Sequence, residues 1–473
     1  MLLSYAQDLT NFLESHRTGA QVVAVGGYVR DLAITEIHGS QAPLKDLDLE
    51  IYRFPTEGLR TALQDFARQR RLNFLEVGKS FGVFKLSLPD QPGLALDVAV
   101  PRRESQQGPR HQDFAVVGDP EMSFPEAAAR RDFTINSMGL HLGTKEWFDP
   151  YQGRAHLDQR LLKHVSSAFA EDALRVLRGA QFMARFNLRM APETEQLCRT
   201  LTPEFLSRER IEEEFNKLLT KALYPSLGLE MLRRVGWLAY FPELAALVGV
   251  PQDPQWHPEG NVWVHTCMVV DQAARLTHTA PPEVRQRVMY GALCHDLGKP
   301  PTTQFEDGHW RSRGHDVAGE QPSRNLLKRI TENRDLTEAV VRLVLNHLHP
   351  HMLWHQQAGP SAVRRLANRL APYTTIQELV LCARADHFGR TTPEALSYQD
   401  PGGEWLLAQA EHLAVHNQPL QPLLMGRHLI ERSLSPSPQF KLILAQALEA
   451  QIEGKFQDLA GALDWLDHCY GKL

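Results

Sequence analysis

The sequence predicts an α+β protein with a head of mixed sheet and helices and a long helical remainder. Strand-like alternation of apolar and polar residues is confined to about the first 155 residues, and helical periodicity dominates after them. The 473 residues exceed one ordinary core, so we expect two to four domains. Proline and glycine clusters suggest domains of residues 1–155, 156–250, 251–400 and 401–473.

Composition narrows the class of protein. Apolar residues make up 43% of the chain and charged residues 23%, as in globular proteins. No apolar run could span a bilayer and no signal peptide is evident, so we expect a cytoplasmic protein without a membrane partner. Five scattered cysteines with no C-x-x-C pair argue against disulfides and zinc clusters. Because the net charge is −5, any nucleic-acid site must rest on a local basic patch.

The first strand of the head leads into two glycines. After an amphipathic helix predicted within residues 1–20, an apolar strand over residues 22–25 precedes Gly26, Gly27 and a helix start. Glycine permits close backbone approach, helix N-terminal amides favour an anion, and Arg30 could add a contact to phosphate. A plain tight turn would also explain the two glycines.

The second strand, residues 45–51, carries acidic side chains in alternation with apolar ones. Its apolar residues can enter a core, and Asp46, Asp48 and Glu50 then project together from the other face. Divalent metal ions are the usual reason for adjacent carboxylates. The alternative is a solvated acidic edge, and Glu50 needs no role beyond that.

Further elements complete the head and open the helical part. The head should contain a helix over residues 55–70 and strands over 73–77, 80–88 and 94–100. Asp97, inside the last strand, should either bind metal or pair with an arginine. The polar, glycine-containing residues 104–118 suggest a mobile loop. Predicted helices over 168–186, 194–201, 210–222 and 228–235 follow.

Two groups of polar residues lie in the helical part of the chain. In the helix over 168–186, Glu171 and Arg175 are four residues apart, and Asp172, Arg175 and Arg178 follow at intervals of three, as in helix-surface ion pairs. Farther on, histidines and aspartates recur in apolar helical contexts: His265, His295, Asp296, His315, His347 and Asp386. Unpaired polar groups are costly there, so these are either buried structural histidines or ligands of a divalent metal. We expect His257, His349, His351, His355 and His387 to lie outside such a site.

Five motifs in order resemble the signature series of class II tRNA nucleotidyltransferases, a family that includes bacterial poly(A) polymerases. The motifs are GGYVRD (26–31), KDLDLEIY (45–52), VGKSFGVFK (77–85), DVAVPRRE (97–104) and RRDFTINSM (130–138), and EDALRVLRGAQFMARF (171–186) resembles the next one. The resemblance implies a polymerase β-like head, residues 1–155, and an all-α neck and body, residues 156–250. It also implies tRNA, CTP and ATP as partners.

The resemblance assigns roles to the head residues. Asp46 and Asp48 are expected to bind Mg²⁺, with Asp97 as a less secure third carboxylate. Gly26, Gly27 and Arg30 are expected to contact triphosphate, and Arg131 to lie near phosphate or sugar. The alternative for Arg131 is a salt bridge to Asp132 or Asp97.

The resemblance also assigns base reading to Asp172 and Arg175. Cytosine and adenine both present an amino donor beside a ring-nitrogen acceptor, which suits an aspartate beside an arginine. Glu171 is expected to hold Arg175, and Arg178 completes the nucleotide-binding set. Gln181 departs from the family pattern, because many relatives carry arginine there, so nucleotide preference is less certain than reaction class.

The His/Asp series resembles the HD-domain metal-dependent phosphohydrolases, here residues 251–400, followed by a helical tail, residues 401–473. The resemblance implies one metal on His265, His295, Asp296 and Asp386, and a second on His315 and His347. It implies Ni²⁺, Mn²⁺, Fe²⁺, Zn²⁺ or Mg²⁺, with Asp296 bridging two ions and Lys299 contacting phosphate. The implied activity is removal of 2′,3′-cyclic or 3′-phosphates.

Alternatives stay open at this point. The chain could be a poly(A) polymerase or an A-adding enzyme, although the charge of −5 disfavours the basic tails of the former. It could also be an HD phosphohydrolase whose head only senses nucleotides. Monomer and homodimer are both compatible with the sequence. Charge alone suggests RNA contacts at Arg208, Arg210, Lys217 and Lys221.

Overall fold

A computed structural model of the chain describes residues 2–39, 46–78, 82–106, 114–432 and 434–471. The chain divides into two compact units, Met1–Glu214 with Met231–Trp237, and Phe215–Glu230 with Leu238–Leu473. Among the described residues, no helix combines the length and apolar character that crossing a bilayer requires. The predicted α+β architecture is confirmed.

The first unit is built on a mixed sheet. Its strands are β1 (Gln21–Val25), β2 (Asp46–Tyr52), β3 (Asn73–Gly78), β4 (Val83–Leu88), β5 (Gln91–Ala99), β6 (Arg102–Gln106), β7 (Phe114–Gly118), β8 (Gly139–His141) and β9 (Trp147–Phe148). Seven of them form one sheet in the order β3-β4-β5-β2-β1-β8-β9. The β2–β5 pair is parallel and the other pairs in this sheet are antiparallel.

The alternation in β2 divides its side chains as predicted. Leu47, Leu49 and Ile51 are buried, and Asp48 and Glu50 lie on the opposite, more exposed face. β1 pairs with β2 so that Val25, its last residue, lies opposite Asp48. The turn after β1 is thereby brought to the acidic face.

Helices pack around this sheet. They are α1 (Leu2–His16), α2 (Gly26–His38), α3 (Thr56–Arg70), α4 (Phe124–Ala128) and α5 (Gly153–Asp158). The predicted loop over residues 104–118 is wrong in part, because β6 and β7 pair as a two-stranded antiparallel sheet that reaches Gln106 and resumes at Phe114. The intervening residues 107–113 lie outside the described residues.

The neck begins with a helix that is shorter than predicted. Residues 168–186 do not form one helix: a 3₁₀ turn, Ser167–Glu171, ends before Asp172, which is extended (φ −139°, ψ 106°), and α6 spans Leu174–Phe186. The Asp172 side chain accepts a hydrogen bond from the Leu174 amide and so competes with helix continuation. The next elements are β10 (Leu161–Leu162), β11 (Arg189–Met190), α7 (Pro192–Cys198), α8 (Arg208–Thr220), α9 (Pro225–Arg234) and α10 (Pro242–Ala245).

The second unit is mainly helical. Its helices are α11 (Val262–Leu276), α12 (Pro282–Cys294), α13 (Lys299–Thr302), α14 (His315–Ala318), α15 (Glu320–Ile330), α16 (Arg334–Asn346), α17 (His349–His355), α18 (Pro360–Leu370), α19 (Ile376–Phe388), α20 (Pro393–Leu396) and α21 (Pro401–His412). One hairpin that the sequence did not predict, β12 (Thr303–Glu306) with β13 (His309–Ser312), interrupts them. Helices α11, α12, α16 and α19 pack on one another and enclose a polar centre.

The last three helices have a small core of their own. They are α22 (Gly426–Glu431), α23 (Pro438–Ile452) and α24 (Leu459–Tyr470). Leu429, Ala447 and Leu466 are among the buried residues of this core.

Candidate functional sites

The first site is an open cleft of about 410 Å³ in the first unit. It is bounded by the end of β1, the start of α2, the acidic face of β2 and the start of α6. Eight residues that the sequence assigned to the transferase site line it: Gly26, Gly27, Arg30, Asp48, Arg131, Asp172, Arg175 and Arg178. Five arginines and three aspartates line the cleft, so positive charge is in excess. Such a lining suits a polyphosphate.

Gly26 lies directly against Asp48. Its φ of +72° lies in the left-handed region, and a Cβ built there would lie 2.7 Å from Asp48 Oδ2. Only glycine meets both conditions without displacing the carboxylate. Val25 provides no side-chain cap for α2, and the N-terminus of a helix favours an anion, here beside Asp48.

The carboxylates of two parallel strands lie side by side. Asp48 of β2 is in register with Asp97 of β5, so both side chains project from one face. Asp97 Oδ1 is 3.5 Å from Lys85 Nζ, so Asp97 also has the basic partner that the sequence allowed, although that partner is a lysine. The structure includes Asp46 in β2 two residues before Asp48, but its side chain lies outside the described residues.

Arg131 pairs with neither of the residues that the sequence offered. Its Nη2 donates to Glu50 Oε1 at 2.6 Å and its Nη1 to the Asn136 carbonyl at 3.1 Å. Burial would lower the pKa of Arg131, but Glu50 raises it above its ordinary value. The view of Glu50 as a solvated acid without a role is therefore wrong. Glu50 also accepts from the Tyr52 hydroxyl at 2.6 Å and orients an arginine of the cleft.

Two polar residues of the cleft, Asp132 and Asn136, were missed as site residues. Asp132 is buried and accepts from Arg178 Nε at 2.7 Å and from Asn136 Nδ2 at 2.9 Å. Burial raises the pKa of Asp132, but Arg178 and Asn136 outweigh it and hold the pKa below its ordinary value. Asn136 Oδ1 in turn accepts from Arg30 Nη1 at 3.0 Å, so one network orients two arginines. Their position within the RRDFTIN motif was the signal that could have identified them.

Asp172 and Arg175 both reach the cleft, but the predicted support for Arg175 is wrong. Glu171 contacts Arg130 Nη2 at 3.2 Å, because the extended residue Asp172 breaks the helical spacing between Glu171 and Arg175. Arg175 instead donates to two backbone carbonyls, those of Ala168 at 2.7 Å and Arg130 at 2.8 Å.

Asp172 has a partner from α8. Its Oδ2 accepts from Arg210 Nη2 at 2.6 Å, and its Oδ1 accepts the Leu174 amide at 3.0 Å. Arg210, which charge alone suggested as an RNA contact, therefore lies in this cleft. Gln181, the departure from the family pattern, is buried outside the residues that line the cleft and accepts from Arg185 Nη1 at 3.0 Å.

The second site lies within the helices of the second unit. His265 lies on α11, His295 and Asp296 directly follow α12, His315 begins α14, His347 directly follows α16, and Asp386 lies near the end of α19. The structure thus brings together all six residues of the predicted His/Asp series. Their ligand atoms form two groups, His265 with His295 and Asp386, and Asp296 with His315 and His347.

Asp296 joins the two groups. Its Oδ2 is 3.2 Å from His295 Nε2 and 3.8 Å from His265 Nε2, and its Oδ1 is 3.5 Å from His315 Nε2. Within the first group, His265 Nε2 is 2.9 Å from Asp386 Oδ1. One carboxylate oxygen of Asp296 therefore faces each group, the arrangement that a bridging ligand requires.

The imidazole orientations test whether a cation fits. His295, His315 and His347 each place Nδ1 2.6–2.8 Å from a backbone carbonyl, those of Ala292, Ser312 and Val344. A carbonyl only accepts, so each Nδ1 carries a proton and each Nε2 is directed at the centre. Burial would lower the pKa of His295, but Asp296 and Asp386 raise it above its ordinary value, so a metal ion there would replace the Nε2 proton. His315 Nε2 and His347 Nε2 lie 3.2 Å apart. At that separation the two nitrogens can share a proton or bind one metal ion, so these residues fit a divalent metal.

Ionisation supports the same conclusion. Burial alone would raise the pKa of Asp296 and of Asp386, but neighbouring histidines with Lys299 and Arg390 hold both pKa values well below the ordinary range. Burial and the neighbouring His315 lower the pKa of His347 to about 4. At neutral pH the centre thus combines ionised carboxylates with at least one neutral imidazole, the forms that bind metal.

Two neighbours of this centre change the sequence-based expectations. His257, expected to lie outside the site, packs its ring 4.7 Å from that of His265, and the Glu259 carboxylate lies between their nitrogens. Lys299, expected to contact phosphate, has Nζ 2.7 Å from Asp296 Oδ2 and donates to Gln252 Oε1 at 2.7 Å.

Three family models match successive parts of the chain. Residues 22–163 match the poly A polymerase head domain, residues 187–247 the probable RNA and SrmB-binding site of polymerase A, and residues 262–391 the HD domain. The first match covers most of the cleft and the third covers the whole His/Asp centre.

Solved structures share the fold over nearly the whole chain. An apo form of a CCA-adding enzyme aligns with a TM-score of 0.62 at 18% identity, covering 99% of this chain and 95% of that one. The Thermotoga maritima CCA-adding enzyme in complex with tRNA aligns with a TM-score of 0.56 at 17% identity, covering 98% and 95%. At these identities the likeness shows the fold alone.

Curated relatives are more similar in sequence. The Multifunctional CCA protein of Actinobacillus pleuropneumoniae serotype 5b is 33% identical over 389 residues, covering 80% of this chain and 88% of the relative. That of Xanthomonas campestris pv. campestris is 34% identical over 412 residues, covering 85% and 92%. Identity above 30% over four fifths or more of each chain shows the family, and the chain therefore belongs to the multifunctional CCA protein family of class II tRNA nucleotidyltransferases with an HD domain.

Proposed function

We propose that this chain adds and repairs the 3′-terminal CCA of tRNA, using CTP and ATP without a nucleic-acid template. The observation that carries the proposal is the joint presence, in one cleft, of Asp48, the α2 N-terminus and the Asp172–Arg175 pair. The A. pleuropneumoniae and X. campestris relatives and the CCA-adding enzymes of the same fold support it.

In this proposal the cleft binds the nucleotide by its two ends. The triphosphate lies at the N-terminus of α2, where amides and the arginines held by Glu50 and Asp132 offset its charge. Asp46 and Asp48, with Asp97 in register beside Asp48, would hold Mg²⁺, which supplies charge neutralisation for attack of an RNA 3′-hydroxyl on the α-phosphate. The protein positions the reactants in line and excludes competing geometries.

Base selection follows from the fixed polarity of two side chains. The Asp172 carboxylate only accepts and the Arg175 guanidinium only donates, which matches the amino and ring-nitrogen groups of C and A and mismatches U and G. The backbone carbonyls of Ala168 and Arg130 restrain Arg175, and Arg210 restrains Asp172. A rigid pair discriminates better than a mobile one, because the mismatched base leaves polar groups unpaired.

We also propose that the His/Asp centre hydrolyses phosphate esters at RNA 3′ ends. The observation that favours this second activity is the two-group arrangement around Asp296, with three Nε2 atoms directed inward. His265, His295, Asp296 and Asp386 would hold one divalent metal, and His315 and His347 a second. Such ions activate water for attack on phosphorus. Removal of a 2′,3′-cyclic or 3′-phosphate would expose the hydroxyl that the head extends.

Incubation of a tRNA that lacks its terminal CCA with Mg²⁺ and labelled CTP or ATP tests the transferase proposal. Wild-type protein should incorporate both nucleotides, and Asp48→Asn should lose at least about 10³-fold in rate, since a carboxylate that binds catalytic metal is removed. His295→Ala in the other unit is the control and should incorporate normally. Absence of incorporation by the wild type would refute the proposal.

The hydrolase proposal has the reciprocal test. RNA ending in a 2′,3′-cyclic phosphate should be processed by wild-type protein and by Asp48→Asn, but not by His295→Ala or Asp296→Ala. Retention of this activity by the two centre variants would assign it elsewhere. Treatment with a chelator should abolish both activities, and different ions should restore them, because the cleft offers oxygen ligands and the centre offers imidazoles.

A further inference from the structure

A buried carboxylate, Glu259, lies behind the His/Asp centre and outside its two ligand groups. It belongs to the segment His257–Asn261 that precedes α11, and its side chain is 1% exposed. Asn261 caps α11 by accepting from the Val264 amide, which fixes where this segment joins the helix that carries His265. An ionised side chain this deeply buried requires specific partners.

Both oxygens of Glu259 have partners. Oε1 lies 2.9 Å from His257 Nδ1 and 2.8 Å from His265 Nδ1. The contact with His265 is a close charge contact, but its angle falls outside hydrogen-bond geometry. Oε2 accepts the Thr391 amide at 3.1 Å. Thr391 follows α19, five residues after Asp386. One carboxylate therefore joins the ring of His265 to the backbone that follows Asp386.

His265 differs from the other three histidines in its outer contact. His295, His315 and His347 place Nδ1 against backbone carbonyls, whereas His265 Nδ1 faces the Glu259 carboxylate. Its opposite nitrogen, Nε2, faces Asp386 Oδ1 at 2.9 Å. A carboxylate behind a histidine fixes the tautomer and ring orientation and makes the ring a stronger metal ligand.

We propose that Glu259 is a positioning residue for the first group of the centre. It holds the His265 proton on Nδ1, presents Nε2 to a divalent transition metal, and couples the position of α11 to the end of α19. The inference rests on the proposed metal-binding role of His265, His295 and Asp386, and it concerns the affinity of that group for its ion. Glu259 itself contacts neither ion nor substrate.

Calorimetric titration of the untagged, metal-stripped full chain with Ni²⁺ tests the proposal. Glu259→Ala should raise the Kd of the tighter Ni²⁺ by about 10–100-fold. Glu259→Gln keeps one acceptor oxygen and should recover part of that loss. Glu394→Gln, the same change at an exposed position of α20, is the matched control and should leave the Kd unchanged.

Other readouts separate positioning from structural roles. The melting temperature of Glu259→Gln in excess chelator should fall by about 2–6 °C, because two histidines lose a charged partner. The further rise in melting temperature on adding Ni²⁺ should also be smaller in the variant, and a purely structural role would leave that rise unchanged. CTP incorporation in the head should be unchanged. Equal Ni²⁺ affinity in Glu259→Ala and wild type would overturn the proposal. Loss of one whole Ni²⁺ equivalent in Glu259→Gln would also overturn it, because Glu259 would then be a ligand of a further ion.

A parallel titration of His265→Ala distinguishes failure of the metal centre from failure of the role of Glu259. Wild-type affinity in His265→Ala would refute the metal centre itself. Weakened binding in His265→Ala, with wild-type binding in Glu259→Ala, would refute only the role of Glu259.

Discussion

The close contact between Gly26 and Asp48 leads to a sharp prediction for Gly26→Ala. The added Cβ would lie 2.7 Å from Asp48 Oδ2, and ordinary contact begins at 3.4 Å, so the carboxylate must move by about 0.7 Å. A displacement near 1 Å costs about 10²-fold in rate where geometry is critical, so we expect nucleotide incorporation to fall by about 10–100-fold. The backbone adds a penalty of about 1–2 kcal/mol in folding stability, because φ is +72°.

Gly39→Ala is the matched control. Gly39 directly follows α2 with the same φ of +72°, and a Cβ built there meets nothing within 4 Å. Alanine there should cost a similar folding free energy, about 1–2 kcal/mol, and should leave incorporation within about 3-fold of wild type. Single-turnover incorporation and chemical unfolding measure the two effects. Equal incorporation rates in the two variants would refute the argument that Gly26 makes room for a catalytic carboxylate.

Three further variants test other parts of the structure. Asp172→Asn should raise misincorporation of U or G relative to C by at least about 10-fold, because the amide can donate to a carbonyl, and competition assays with all four nucleotides would measure it. Glu50→Gln should lower unfolding free energy by about 1–3 kcal/mol and raise KM for CTP and ATP alike, because Arg131 loses its charged partner. Burial raises the pKa of Asp271 to about 6, so the ionised form of this carboxyl destabilises the folded state. The contribution of Asp271 to folding stability is therefore present at low pH and is lost as the pH rises through about 6. The unfolding free energy of Asp271→Asn minus that of wild type should therefore increase by about 1 kcal/mol from about pH 5 to about pH 8. Urea unfolding at the two pH values measures it.

Local patterns in the sequence were sufficient to predict much of the structure of the head. The two-residue period of β2 predicted which face Asp48 occupies, because strand geometry alone determines it. The same approach failed at Glu171, where a helical period was extended through Asp172. That residue is extended, and its side chain accepts the Leu174 amide instead.

Pairings between distant segments were beyond these patterns. Arg131 meets Glu50, and Asp172 meets Arg210, only because the fold brings different elements together. The His/Asp series could be predicted because polar residues in apolar helices have few acceptable roles. Glu259 could not, since it lies in an irregular segment rich in glycine and proline and its partner His265 was already assigned a role.

The most direct test of the central claim is the sequence of the product end. A tRNA that lacks its terminal CCA should be incubated with wild-type protein, Mg²⁺ and all four nucleoside triphosphates, and the extended 3′ ends should then be sequenced. The proposed cleft predicts C, C and A in that order and then termination, with the same product from His295→Ala. Runs of A without preceding C, or ends containing U or G, would contradict it.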